Sequence, residues 1–329
     1  MDKKDDKRIA YIDLVKFIAI CLVCIGHSDV LVDMQVPSIV RDWIYSFHMP
    51  LFMLCCGYFS LNSYQKPFKL FLKQKTIQLL VPTVSVIILT ILTCYIINST
   101  DDITTLSKLE IIGGMWFLKT LFACYLYVWL FMRLKCNDIL KVSISVLLAL
   151  FFPHGYFLQF NWMLLFFWSG YFLRKYDVFY ARYRSIITLL AICIFIVLPI
   201  HKEPSVLTYD ILFHQPLQLP MQYLMALSGS LALMGCSYYI CNIWYQSRII
   251  TFFENVGRYT LGIYGLQSFL LQRICVKFIH LSDAIPALIY DFVIIPCIGV
   301  VATLICFYLI QILKRNSIIN FFMFGNQYK

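Results

Sequence analysis

The sequence predicts an all-helical bundle that crosses a bilayer about ten times, and three observations predict it. Hydrophobic residues make up 61% of the chain and charged residues only 13%, with a mean hydropathy of +0.77. Soluble globular proteins average ~25% charged residues, so half of the usual charge is missing. Apolar runs near the ~20 residues a helical span needs recur from end to end. Finally, Lys and Arg are divided unevenly between alternate loops, as the orientation of a polytopic protein requires.

Taken in order, the first run, Ile12–Leu31, is long enough to span yet carries Asp13, Lys16 and His27. Lys16 and His27 stand eleven residues apart, about three turns plus ~20°, so they share one helix face and are separated by roughly 16 Å. An ionisable residue at the centre of a span costs at least ~2.5 kcal/mol on insertion scales, which marks both as functional candidates. The competing reading has Lys16 snorkelling to the interface and His27 capping the helix. Asp13, three residues before Lys16, partly neutralises it and eases its burial.

The second run, Trp43–Leu61, brings SFHMPLFMLCCGYF, with His48 at the level of His27 and Pro50 suited to a first-turn position. Ile77–Ile97 follows, then Gly113–Phe131, where GGMWFLKTLF places Lys119 deeper than a surface lysine. Trp116 and Glu110 nearby suggest a polar pocket there. A shorter run, Ile139–Phe152, leads to Phe157–Leu173, Ile186–Ile200, Leu219–Tyr239, Tyr259–Phe278 and Ala284–Leu313, the last long enough to tilt. With no repeat, linker or soluble segment evident, residues 1–329 read as one transmembrane domain.

With ten spans both termini share a side, and that side holds the positive loops: Lys3 to Arg8, Lys66 to Lys75, Arg133 to Lys141, Arg174 to Arg184, Arg248 with Arg258, and the C-terminal cluster. The other side has Arg41, Lys108, Lys202, Arg273 and Lys277. The bias, roughly four to one, places both termini in the cytoplasm. The net charge of +10 therefore marks topology rather than a nucleic-acid partner. The thirteen cysteines are scattered without a CxxC pair or metal-ligand spacing, and read as small buried hydrophobes. MDKKDDKR is too charged, and the following run too long, for a cleavable signal peptide.

The residues also carry a likeness. Asp13-x-x-Lys16, ten residues, His27, and then FHMPLF…GYF over 47–59 resemble the integral-membrane acyltransferases of acyltransferase family 3. WFLKTLF at 116–122 is similar to the aromatic stretch of the family's polysaccharide and fucose O-acetyltransferases, and VGRYTLGIYGLQ at 256–267 to its penultimate span. Ten spans with both termini inside also match the family.

The resemblance implies transfer of an acyl group, most simply acetyl, from cytoplasmic acyl-coenzyme A to a hydroxyl of a cell-surface or lipid-linked sugar outside a bacterial inner membrane. Acyl-coenzyme A would be a co-substrate, with no bound cofactor and no metal. Lys16, Asp13, Lys73 and Lys75 would meet the donor, and His27, with His48 beside it, would do the chemistry. Trp116 and Lys119 would line the acceptor pocket. Beyond donor, glycan and bilayer, a second copy of the chain is a candidate partner. Neutral imidazole, with a pKa near 6.5, can take a hydroxyl proton at neutral pH.

Two positions depart from the family pattern. Gln78 stands for the second basic residue before Leu79-Leu80-Val81-Pro82, and Gln267 for the histidine that often ends the IY-x-x-H stretch. Neither is expected to touch the first-span signature. A transporter would pair its buried ions near the midplane around broken helices, and a non-catalytic subunit would tolerate loss of His27. Both stand as alternatives.

Overall fold

The computed structural model of the protein describes residues 9–31, 38–97, 103–152, 159–198, 207, 209–245, 247–276 and 286–326. Lys3, Lys4, Lys7, Arg8, Lys202, Lys277 and Lys329, which enter the orientation argument, lie outside them. Among the described residues every regular element is helical. That is the outcome a low-dielectric surrounding imposes, because a helix satisfies its own N–H and C=O groups.

Helix α1 (Ala10–Ser28) ends in a 3-10 turn, Asp29–Leu31. Next come α2 (Ile39–Tyr58), α3 (Phe68–Lys75) and α4 (Val81–Ile97), the last two joined through a π-helical stretch, Thr76–Leu80. Then follow α5 (Ile103–Gly113), α6 (Trp116–Phe131), α7 (Asp138–Ala149), α8 (Phe160–Lys175), α9 (Asp177–Val197), α10 (Tyr209–His214) and α11 (Gln218–Ile243). The chain closes with α12 (Arg248–Gly257), α13 (Thr260–Phe269, extended by the π stretch Leu270–Cys275), α14 (Ile295–Leu313, entered through Tyr290–Ile294) and α15 (Ser317–Phe324).

Among the described residues five helical stretches are long and apolar enough to cross a membrane: Ala10–Leu31, Phe68–Ile96, Asp177–Val197, Gln218–Ile243 and Tyr290–Leu313. A sixth results if Ser107–Gly113 and Trp116–Phe131, bent by 42°, form one broken span. The break falls at Met115, a non-glycine residue in the left-handed region with φ 52°. The run at 139–152 coincides with a helix, Asp138–Ala149, of only 12 residues, about 18 Å at 1.5 Å per residue, well short of a ~30 Å hydrocarbon core.

Large apolar side chains lie on the outside, with Val178 82% and Val197 80% exposed. A soluble fold would bury them; lipid does not require it. Cys193 and Cys297 are exposed in the same way, a correction to the expectation that all the cysteines are buried.

The core gathers around α1, which packs against α2, α11, α12, α13 and α14. Against α2 lies α8, and there small residues let the backbones meet. A Cβ on Gly57 would come within 2.1 Å of the Phe167 carbonyl oxygen, and one on Gly170 within 2.0 Å of that of Leu54. Two expectations change. Pro50 sits inside α2 rather than in its first turn, because the helix already begins at Ile39, capped by the Ser38 side chain. Lys69, Lys73 and Lys75 lie on α3, continuous with the next span, and not in a loop.

Candidate functional site

Two polar constellations mark the two ends of α1. At the N-terminal end Asp13 is buried, and its carboxylate holds Lys16 Nζ at 3.3 Å and Arg258 Nε at 3.8 Å. Arg258 arrives because Gly257, at the end of α12, presses on the Asp13 carbonyl so closely that an added Cβ would lie 1.9 Å from it. Half-buried Lys16 also stands over the Phe59 ring at 4.6 Å. Lys75, the last residue of α3, lies 3.6 Å from the centroid of Tyr125, whose hydroxyl donates to the Cys56 carbonyl at 3.2 Å. Both lysines are close enough to the Cys56 thiol to act on it electrostatically. Arg258 further joins Arg248, Thr251, Phe252 and Asn255 in lining an open hollow of about 400 Å³.

At the C-terminal end, half-buried His27 meets Gln267 of α13: Nδ1 and Oε1 are 3.1 Å apart. Gln267 is fully buried, and its amide nitrogen donates to the Tyr264 carbonyl at 3.3 Å. His48 of α2 is buried, with Nδ1 donating to the Ile44 carbonyl at 2.7 Å, and its ring is near enough to sense the charge of His27. The end of the bundle is fastened by Arg41–Asp29 at 2.7 Å, by Tyr45 donating to the Gly26 carbonyl at 3.3 Å, and by Asp291, which accepts from Ser38 and from the Ile39 amide.

An apolar slot of about 60 Å³ lies among α2, α6 and α13. Cys56 lines it near the lysines; Tyr264, which shares the Gln267 turn, lines it near His27; Met49, Phe52, Phe117 and Leu121 form its walls.

The structure therefore brings Asp13, Lys16 and Lys75 together, and His27 with His48 at the far end. It leaves Lys73 exposed on α3. Lys119 donates to the carbonyls of Ile111 (3.0 Å) and Ile112 (2.8 Å), satisfying the last turn of α5 across the break. Trp116 is half-buried beside Phe117, and Glu110 pairs with Arg273.

The expectation that Gln267 stays clear of the first-span signature is overturned, because α13 packs directly on α1. The sequence did hold a signal for it: an amide inside an apolar span needs a partner. In the sequence Arg258 is only a topological charge, and its ion pair with Asp13 spans too many residues to be seen in a pattern.

Comparison with known proteins now fits the geometry. A family model described as an acyltransferase domain, that of acyltransferase family 3, matches residues 9–311. The chain belongs to that family, and its long apolar helices make it a membrane acyltransferase. No curated protein and no solved structure matches the chain.

Proposed function

We propose that the protein moves a short acyl group, acetyl above all, from cytoplasmic acyl-coenzyme A to a sugar hydroxyl on the outer face of a bacterial inner membrane. Residues from all ten expected runs would then contribute to crossing it, with both termini inside. The observation that supports this reading is a cationic cluster at one end of α1 and a histidine with a buried amide partner at the other. Lys16, Lys75, Arg258 and Arg248 offer positive charge to the donor's phosphates on the Asp13 side of the bundle. A pantetheine arm spans the roughly 16 Å between Lys16 and His27. The slot, walled by Met49, Phe52, Phe117 and Leu121, is taken as the seat of the short acyl group.

In the step itself His27 Nε2 takes the proton of the acceptor hydroxyl. The oxygen attacks the thioester carbonyl, the C–S bond breaks, and coenzyme A leaves as the thiolate, which recovers a proton. An O-acyl ester and free coenzyme A result. Asp13 holds Lys16 in place, His48 flanks the base, and Trp116 meets the acceptor sugar, while Lys119, engaged with the Ile111 and Ile112 carbonyls, braces the break beside it.

Purified protein in liposomes, given radiolabelled acetyl-coenzyme A on one side and acceptor glycan on the other, tests the reaction. Acetyl ester on the glycan is expected, and mass spectrometry of surface glycans from cells with and without the gene should show the same mass difference. Free coenzyme A without any ester, or no difference between the cells, would overturn the reading. Single cysteines at 75 and 175 should resist an impermeant reagent in intact cells, whereas one at 108 should react.

A further inference from the structure

Gln267 lies within bonding distance of His27 yet has no assigned part in the chemistry. A histidine can act as a base only through the ring nitrogen that carries no proton, and which nitrogen that is depends on what the other one meets. Nδ1 of His27 meets Oε1 of Gln267 at 3.1 Å. That amide has two possible orientations, and its second contact selects between them. With Nε2 of Gln267 toward the Tyr264 carbonyl, at 3.3 Å, the contact joins a donor and an acceptor. Turning the amide over would set Oε1 against that carbonyl, two acceptors face to face inside a fully buried site. The carboxamide oxygen is thus committed to His27, and an oxygen there can only accept.

Resting on the assignment of His27 as the base, we propose that Gln267 is a positioning residue that fixes the His27 tautomer. It holds the proton on Nδ1 so that the Nε2 lone pair faces the acceptor hydroxyl. Tyr264 supports it as the second member of a relay: the Tyr264 carbonyl orients the amide, and the amide orients the imidazole. The other polar groups near this end are otherwise engaged. Arg41 is paired with Asp29, and His48 donates through its own Nδ1 to Ile44. Among the described residues Gln267 is the side chain bonded to the His27 ring.

Two variants and one spectrum test this. Gln267→Leu keeps the bulk but removes the acceptor. It should lower kcat by at least tenfold, within the ~10⁴-fold that a wrong tautomer costs a hydrolytic triad, with the KM for acetyl-coenzyme A unchanged because the donor cations lie at the other end of α1. Gln267→Glu restores an acceptor for Nδ1–H and adds a negative charge that favours imidazolium. It should recover most of the lost kcat, while the acid limb of the pH profile moves to higher pH.

The spectrum is independent of turnover. In ¹⁵N-histidine-labelled protein, the signal missing from His27→Gln identifies His27. It should report a protonated Nδ1 and a bare Nε2 in the wild type, and a mixture of tautomers in Gln267→Leu. A wild-type His27 carrying its proton on Nε2 overturns the proposal, as does a folded Gln267→Leu enzyme with unchanged kcat. If His27→Ala remains active, the base assignment falls instead, and the spectrum still decides whether the tautomer is fixed.

Discussion

The two ends of α1 solve opposite problems. At the Lys16 end charge is plentiful and shared: Asp13 answers to Lys16 and Arg258 together, and Lys75 stands close by over an aromatic ring. At the His27 end the chemistry is neutral and unshared, a half-buried imidazole with one amide partner that is itself fully buried. Binding a polyanion is a matter of summed charge, which tolerates the loss of one contributor. Moving a proton is a matter of one atom in one place, which does not. The comparison teaches where substitutions should hurt and in which kinetic constant.

The largest effect should therefore come from His27. General-base assistance is worth ~10²–10⁴ in rate, so His27→Ala should lose at least that range of kcat while the protein still inserts. His27→Gln, which can bond but cannot take a proton, should be nearly as inactive. In the wild type the rate should fall as pH drops through the His27 pKa, because imidazolium has no lone pair to offer. Transfer assays in liposomes across a pH series check all three. A well-expressed His27→Ala protein within a few-fold of wild type would erase the contrast between the ends.

A smaller loss, and in the other constant, is expected at Lys16. A hydrogen bond to a charged group is worth ~1.5–3 kcal/mol, or roughly ten- to a hundredfold in donor kcat/KM at ~1.4 kcal/mol per decade. Lys16→Met should lose about that much, and Lys16→Arg should keep most of its activity, since charge at that depth is what the donor needs. If Met and Arg variants are equally active, Lys16 only snorkels, and the cationic end rests on Arg258 and Lys75.

How much of this was legible beforehand follows the range of each interaction. The α1 signature was readable because Asp13, Lys16 and His27 lie on one helix, where spacing alone fixes the face. The helical class was readable from hydropathy. Element lengths were less so, because where a helix begins depends on caps: Ser38 starts α2 early and carries Pro50 into its interior. Partners far along the chain were not readable at all. His27 and Gln267 are 240 residues apart, and Arg258 reaches Asp13 only because Gly257 lets α12 lie against α1. Nor does sequence spacing tell that Lys119 would be spent on the carbonyls at the α5–α6 break, which exist only because Met115 turns left-handed there.

The slot sharpens the comparison further. Phe117 and Met49 line it, and Phe117 stacks edge-on against Tyr264 at 5.9 Å. Phe117→Ala should widen it and raise turnover of butyryl- relative to acetyl-coenzyme A by several-fold, at a stability cost of about 3–5 kcal/mol for a truncated core aromatic. Competition assays with mixed donors read the ratio directly. An unchanged ratio would mean that acyl length is set elsewhere.

The smallest effects should separate two lysines that the sequence groups together. Lys73 and Lys75 both lie in the last turn of α3. Helical geometry puts side chains two residues apart on different faces, and the structure agrees: Lys73 is exposed, while Lys75 turns inward to Tyr125. An exposed cation acts on a bound polyanion mainly at long range, and salt screens it over ~8 Å at physiological ionic strength. Lys73→Ala should therefore change donor KM by no more than about twofold, an effect that disappears in high salt. Lys75→Met loses a desolvated cation beside Cys56 and should raise KM by up to about tenfold, an effect that salt leaves largely intact. Donor titrations at low and high salt measure both. Equal, salt-sensitive losses at the two positions would show that the cationic end attracts the donor from a distance and does not grip it.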